Sequence, residues 1–216
     1  MTPRVKICCI SSQEEAKMAI SAGASALGLV GNMPSGPGII TDELIRDIAR
    51  SIPPGVTSFL LTSETTPEGI IRHHGLTHTH TIQLVDDIAD ESYGLLRKSM
   101  PSIRLVQVIH VRSMASIDEA LRKAEHVDAL LLDSGNPDLP VRELGGTGRI
   151  HDWDVSASIV AQSKVPVYLA GGLHAGNIKD AIERVQPFGI DLCSGVRTDK
   201  KLDPRKLDRF FEAINK

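Results

Sequence analysis

Val165-Pro166-Val167-Tyr168-Leu169-Ala170-Gly171-Gly172-Leu173 and, one helical segment later, Gly189-Ile190-Asp191-Leu192-Cys193-Ser194-Gly195-Val196 decide how this chain is read. Each is a short apolar run of strand type that ends in glycine where a helix is due to begin. Bare backbone N–H groups at such a junction suit a phosphate dianion. In a (β/α)8 barrel the turns after the last two strands commonly hold the substrate phosphate, so Gly171, Gly172, Ser194 and Gly195 are the expected phosphate-binding residues. The plainer alternative is that the glycines only permit tight turns. Two such turns, one βα unit apart at the C-terminal side of the chain, favour the phosphate reading.

Outward from this pair, runs rich in Val, Ile and Leu alternate with helical patterns along all 216 residues, as parallel βα units do. Strands are expected over residues 4–9, 26–31, 56–61, 81–85, 104–109, 129–133, 165–170 and 189–194. Helices are expected over 12–22, 41–51, 67–74, 90–98, 113–124, 154–163, 175–185 and 204–214. Eight units predict a single (β/α)8 TIM-barrel domain over residues 1–216, with a doubly wound sheet as the rival. Cap chemistry supports the helix starts: Ser12 precedes Glu14 and Glu15, Thr41 precedes Asp42 and Glu43, and Asp203 precedes Pro204. Gly23 reads as a left-handed C-terminal cap. The longest irregular stretch, 134–153, follows the sixth strand, ends at the sole tryptophan, Trp153, and reads as a functional loop.

A hydrophobic content of 41% supplies one well-buried core. A net charge of -3 with scattered basic residues gives no drive towards nucleic acid or an anionic membrane. No run approaches the ~20 apolar residues of a membrane helix, and Met1-Thr2-Pro3-Arg4 leads straight into a strand, so a cytoplasmic protein is expected. The 3 cysteines are odd in number, two of them adjacent, which reads as free thiols rather than a disulfide framework.

Period-two alternation in Arg4-Val5-Lys6-Ile7-Cys8-Cys9 turns Val5, Ile7 and Cys9 outward to the helices and Lys6 and Cys8 inward. Cys8 is then the thiol at the mouth, while Cys9 and Cys193 are expected to be inert packing thiols. Asp133 ends the sixth strand at its C-terminal tip, where barrel enzymes keep catalytic groups; a solvated or capping carboxylate is the alternative. His73, His74, His78 and His80 have no carboxylate or cysteine at ligand spacing, so no metal is expected there.

Taken together the motifs resemble the phosphoribosylanthranilate isomerases of tryptophan biosynthesis. The likeness runs through Lys6-Ile7-Cys8, Ala22-Gly23-Ala24, Gln83-Leu84, Leu131-Leu132-Asp133, Gly145-Gly146-Thr147-Gly148 with Asp152-Trp153, Ala170-Gly171-Gly172-Leu173 with Asn177, and Asp191 with Ser194-Gly195-Val196. The resemblance implies an Amadori rearrangement of a ribosylamine 5-phosphate, without a cofactor. Asp133 would be the general acid at the ring oxygen and Cys8 the general base at C2. A free thiol ionises near pH ~8.5, and Lys6 on the same strand face is a source of positive field. The implied partner is one small phosphorylated sugar, the chain acting as a monomer or homodimer. Four stretches depart from the family's usual pattern. Cys9 stands for a glycine, Gly38 for an arginine that would pair with the anthranilate carboxylate, Val85-Asp86 for His-Gly, and Leu60-Leu61-Thr62 for a Phe-Val-Asn type of end. Lys6, Gln83 and Gly146 remain as expected substrate contacts, with His110 and Arg112 as substitutes for the missing ones. A related barrel isomerase, epimerase or lyase on another phosphorylated sugar is the alternative, as is a catalytically silent barrel that binds a phosphometabolite.

Overall fold

A computed structural model describes residues 2–135, 148 and 150–215. Eight parallel strands follow one another in chain order: β1 Arg4–Ile7, β2 Ala26–Val30, β3 Thr57–Thr62, β4 Thr81–Leu84, β5 Arg104–His110, β6 Ala129–Asp133, β7 Val167–Leu169 and β8 Gly189–Leu192. They form a closed barrel, because β8 pairs back onto β1 with Ile7 opposite Leu192. The helices between them are α1 Gln13–Ala22, α2 Asp42–Ser51, α3 Pro67–Thr77, α4 Asp90–Ser99, α5 Ala115–Ala124, α6 Trp153–Gln162 and α7 Ile178–Val185. After β8 come a 3₁₀ turn, Ser194–Val196, a small hairpin of β9 Arg197–Thr198 and β10 Lys201–Leu202, and the last helix, α8 Pro204–Asn215.

Strand alternation divides the apolar residues into two shells. Val5, Ile7, Leu27, Leu29, Ile82, Leu84, Leu130 and Leu132 pack outward against the helices, while Ala26, Val30, Val106, Val108, Ala129 and Leu131 fill the barrel. The expected caps form: the Ser12 hydroxyl accepts from Glu15 N–H at 3.2 Å, and Gly23 is left-handed at φ 114°. Asp203 Oδ1 accepts from Arg205 N–H at 2.9 Å and Lys206 N–H at 3.2 Å at the start of α8.

Two boundaries move for clear local reasons, and one element is new. β1 stops at Ile7 rather than residue 9, because Cys9 turns into the left-handed region at φ 62°. α7 begins at Ile178 rather than 175, because Asn177 Oδ1 accepts from His174 N–H and holds a turn there. The β9–β10 hairpin has no counterpart in the sequence reading, since two-residue strands carry no periodicity. The histidines serve the scaffold: His73 bridges Thr62 Oγ1 at 2.8 Å and Asp42 Oδ1 at 3.1 Å, His74 donates to Thr79 O, and His80 meets Ser58. Asp42 is thus a carboxylate that sequence spacing alone did not bring near His73. Among the described residues no group of three His, Cys, Asp or Glu is arranged to hold a metal ion, and no helix is long and apolar enough to cross a membrane.

Candidate active site

A cleft opens at the C-terminal ends of the strands. Cys8, Gln83, Asp133, Asp191, Gly171, Gly172 and Ser194 all line it. Strand tips from β1, β4, β6, β7 and β8 therefore converge, as barrel geometry requires.

Cys8 sits just past β1, and its amide is fixed to Leu192 O of β8 at 2.7 Å. Gly28 on β2 makes room for it: a Cβ there would lie 2.8 Å from Cys8 Sγ and 3.0 Å from Lys6 Nζ. The thiol and the ammonium thus border the same small space. Behind the lining, Lys6 is fully buried and donates to Asp191 Oδ2 at 2.8 Å. Burial alone would lower the Lys6 pKa, but the Asp191 carboxylate reverses this and holds the ammonium above the ordinary lysine range. Burial holds Asp191 up, with Lys6 pulling the other way. The Lys6 side chain does not line the cleft, which corrects its expected role as a substrate contact: its partner is Asp191. Asp191 is the residue the sequence reading passed over as a site residue. It lines the cleft, and its Oδ1 is buried without a protein partner. The available signal was a lone acid within the apolar strand Gly189–Leu192.

Asp133 Oδ1 accepts from Ser134 N–H at 2.7 Å, which orients the carboxyl at the tip of β6. Gln83 is buried in the cleft wall, and its Oε1 also lacks a protein partner. An unmatched buried carbonyl is costly to keep dry, so a ligand donor would complete it.

The two glycine turns meet at the cleft's other side. Gly171 at φ 83° and Gly172 at φ 64° are consecutively left-handed, a conformation that favours glycine and turns N–H groups into one concavity. Asn177 Nδ2 donates to Gly172 O at 3.0 Å and braces this turn. Gly195 plays a different part from the one expected. It does not line the cleft, and a Cβ there would fall 2.0 Å from Leu173 O. Its bareness lets the β8 turn press onto the β7 turn, so a valine at 195 would separate the turns rather than merely obstruct a phosphate.

His110 and Arg112 are not brought to the site. His110 is buried, with Nε2 on Val85 O at 3.1 Å, and it ties β5 to β4 outside the cleft lining. Arg112 is exposed beyond the end of β5, away from the lining. Gly146 lies outside the described residues, as does most of the 134–153 stretch.

Cys9 and Cys193 also differ from expectation. The positive φ of Cys9 breaks the alternation, so its side chain turns into the cleft wall rather than outward, and both thiols line the cavity. Their sulfurs are 2.9 Å apart. Arg197 braces this corner from behind: its guanidinium donates to Cys8 O at 3.0 Å, Cys9 O at 2.6 Å and Glu15 Oε1 at 3.0 Å. Cys9 also explains Gly38, where a Cβ would lie 2.5 Å from Cys9 Cβ. Bulk at 9 excludes bulk at 38, so two of the departures from the family pattern are one.

A family model described as N-(5'phosphoribosyl)anthranilate (PRA) isomerase matches residues 5–213. The N-(5'-phosphoribosyl)anthranilate isomerase of Methanocella arvoryzae is 32% identical over 212 residues, covering 98% of this chain and 97% of that protein. Among solved structures, the phosphoribosyl anthranilate isomerase of Thermotoga maritima superposes with a TM-score of 0.83 at 28% identity, covering 99% of this chain and 98% of that one. A phosphoribosyl anthranilate isomerase in complex with reduced 1-(o-carboxyphenylamino)-1-deoxyribulose 5-phosphate superposes with a TM-score of 0.80 at 27% identity, covering 99% and 98%.

Proposed function

We propose, for a chain that belongs to the N-(5'-phosphoribosyl)anthranilate isomerase family, that Cys8 and Asp133 carry the rearrangement of N-(5'-phosphoribosyl)anthranilate to 1-(2-carboxyphenylamino)-1-deoxyribulose 5-phosphate. The observation that supports these roles is that one thiol and one carboxyl, from β1 and β6, line a single cleft beside two braced glycine turns. The Asp133 carboxyl protonates the ribose ring oxygen, the ring opens at C1, and the nitrogen lone pair forms a Schiff base. The Cys8 thiolate then removes the proton at C2, and the resulting enolamine tautomerises to the amino ketose. Acid and base act on different atoms of the sugar, so they come from different strands.

Lys6 is the fixed positive charge beside Cys8, and Asp191 keeps it in place. The turn at Gly171 and Gly172, with Ser194 across from it, takes the 5'-phosphate through backbone N–H groups. The unmatched oxygens of Gln83 and Asp191 accept from substrate hydroxyls. The protein works in the cytoplasm on this one small phosphorylated substrate, as a monomer or a homodimer.

The test is turnover of N-(5'-phosphoribosyl)anthranilate generated in situ, by wild type, Cys8→Ser and Asp133→Asn. Turnover by wild type that collapses in both variants, while sugar-phosphate inhibition persists, supports the assignment. Full activity in either variant removes that residue from its role.

A further inference from the structure

Two of the three cysteines have no part in the proposed chemistry, yet they occupy the wall of the same cleft. Cys9 and Cys193 belong to adjacent chain segments at the β1–β8 seam, two residues and one residue beyond the paired Ile7 and Leu192. Neighbouring strands lie about 4.8 Å apart, inside the Cα separation a disulfide spans. The sulfurs are already at 2.9 Å, with the Cys9 thiol hydrogen-bonding across the seam. Cys193 is only half-buried and lines the cleft, so a small oxidant reaches it through the same mouth as the substrate.

We propose that Cys9 and Cys193 form a thiol-modification site for small hydroperoxides, in which oxidation joins them as an intramolecular disulfide and leaves Cys8 free. The Cys193 thiolate attacks the terminal oxygen of the hydroperoxide; the S–O bond forms, the O–O bond breaks, and the expelled alkoxide, or hydroxide from hydrogen peroxide, takes up the proton the thiol lost on ionising and leaves as alcohol or water. Cys193 is now a sulfenic acid, oxidised by two electrons. The Cys9 sulfur attacks it, the S–S bond forms, and the S–O bond breaks; the departing hydroxide takes the Cys9 proton and leaves as water.

The polarity of the pair suits this order. The contact with the Cys193 sulfur and burial hold the Cys9 thiol well above the usual thiol range. Cys193, against the Cys9 sulfur and near the Arg197 guanidinium, is held below it. Attack by Cys193, the half-buried sulfur that faces the cleft, and resolution by its buried neighbour Cys9 follow from their placement.

The experiment treats reduced full-length protein with hydrogen peroxide, alkylates it under denaturing, non-reducing conditions, and maps the peptides by mass. Two of the three thiols should disappear together in one cross-linked peptide joining Cys9 to Cys193, with Cys8 alkylated and all three recovered after reduction. Cys8→Ser should form the same bond at a rate within about twofold of wild type. Cys9→Gly accommodates the left-handed backbone at this position; there Cys193 should halt at the sulfenic acid, trapped by a 1,3-diketone, and intramolecular disulfide should form at least ~10-fold more slowly. Retention of all three thiols after oxidation would overturn the proposal. So would a bond that includes Cys8, a disulfide between two chains, or undiminished disulfide formation in Cys9→Gly.

Discussion

The turns after β7 and β8 and the loop after β2 line the same cleft, and they are fixed in different ways. The first pair is a braced backbone object: Gly171 and Gly172 are left-handed, Asn177 ties the turn, and Gly195 lets the second turn seat on the Leu173 carbonyl. The loop after β2 contributes Met33, Ser35, Gly36 and Pro37 to the lining, and its shape follows from the Cys9 side chain filling the space beside Gly38. Among the described residues no lysine or arginine lines the cleft. The side of the β7 and β8 turns is thus defined by chain geometry, which tolerates little change. The β2 side is defined by an exchange of bulk between two positions, which leaves room for substitution.

That contrast predicts its own order of damage. The largest loss belongs to the proposed acid and base at the tips of β6 and β1: Cys8→Ser and Asp133→Asn should each lower kcat by on the order of 10²–10⁴-fold with little change in KM, measured by steady-state turnover. A comparable loss from any residue in the loop after β2 would break the contrast.

Next comes the buried pair of Lys6 and Asp191. Lys6→Met strands the Asp191 carboxylate and should cost about 3–5 kcal/mol in urea unfolding, most of it recovered when Asp191→Asn is added. Because the Lys6 pKa is raised on folding, its stabilisation is complete below the unfolded value of about 10.4 and fades as pH climbs through the folded value.

Glu15 has the opposite sign. Burial alone would raise its pKa, but Arg197 and the Leu202 and Ser11 amides bring it below the ordinary range. Its contribution is present above the unfolded value of about 4.3 and is lost as pH falls through the folded value. Glu15→Gln should therefore flatten the loss of stability as pH falls below about 5, and an unchanged acid profile would detach the Arg197 brace from the seam.

On the other side the effects shrink. Cys9→Gly removes an L-residue from φ 62° at the expense of some packing, and stability should stay within about 1 kcal/mol of wild type. Gly38→Arg alone should be more destabilising than Gly38→Arg in the Cys9→Gly background, because Cys9 Cβ blocks the new side chain. Additivity of the two would separate the positions. Least of all, Arg112→Ala should change KM by less than about twofold, since Arg112 stands outside the lining.

The eight strands and most helix starts were legible because alternation, glycine stops and side-chain caps are local signals. The placement of Cys8 and Asp133 at the cleft was legible for the same reason, each sitting at a strand tip in a run whose inward face can be counted. Cys9 was not. A single left-handed residue reversed its face, and nothing in Cys8-Cys9-Ile10 announces a positive φ. The partner of His110, the Val85 carbonyl of the neighbouring strand, and the exposure of Arg112 beyond β5 were not legible, because proximity along a strand does not say which groups a side chain meets. Asp191 was visible as a charge in an apolar strand, but its role depends on Lys6, 185 residues away.

That separation has a bearing on how the protein is made. The corner around Cys8 is completed by Asp191, Leu192 and Arg197, all supplied by the end of the chain. At synthesis rates of about 5–20 residues per second, the first strand waits roughly ten to forty seconds for the last to emerge. Throughout that interval Lys6 lacks its native carboxylate partner and the Cys8 amide its native acceptor. The corner that holds Cys8 is therefore completed only once the segment from Asp191 to Arg197 has been made.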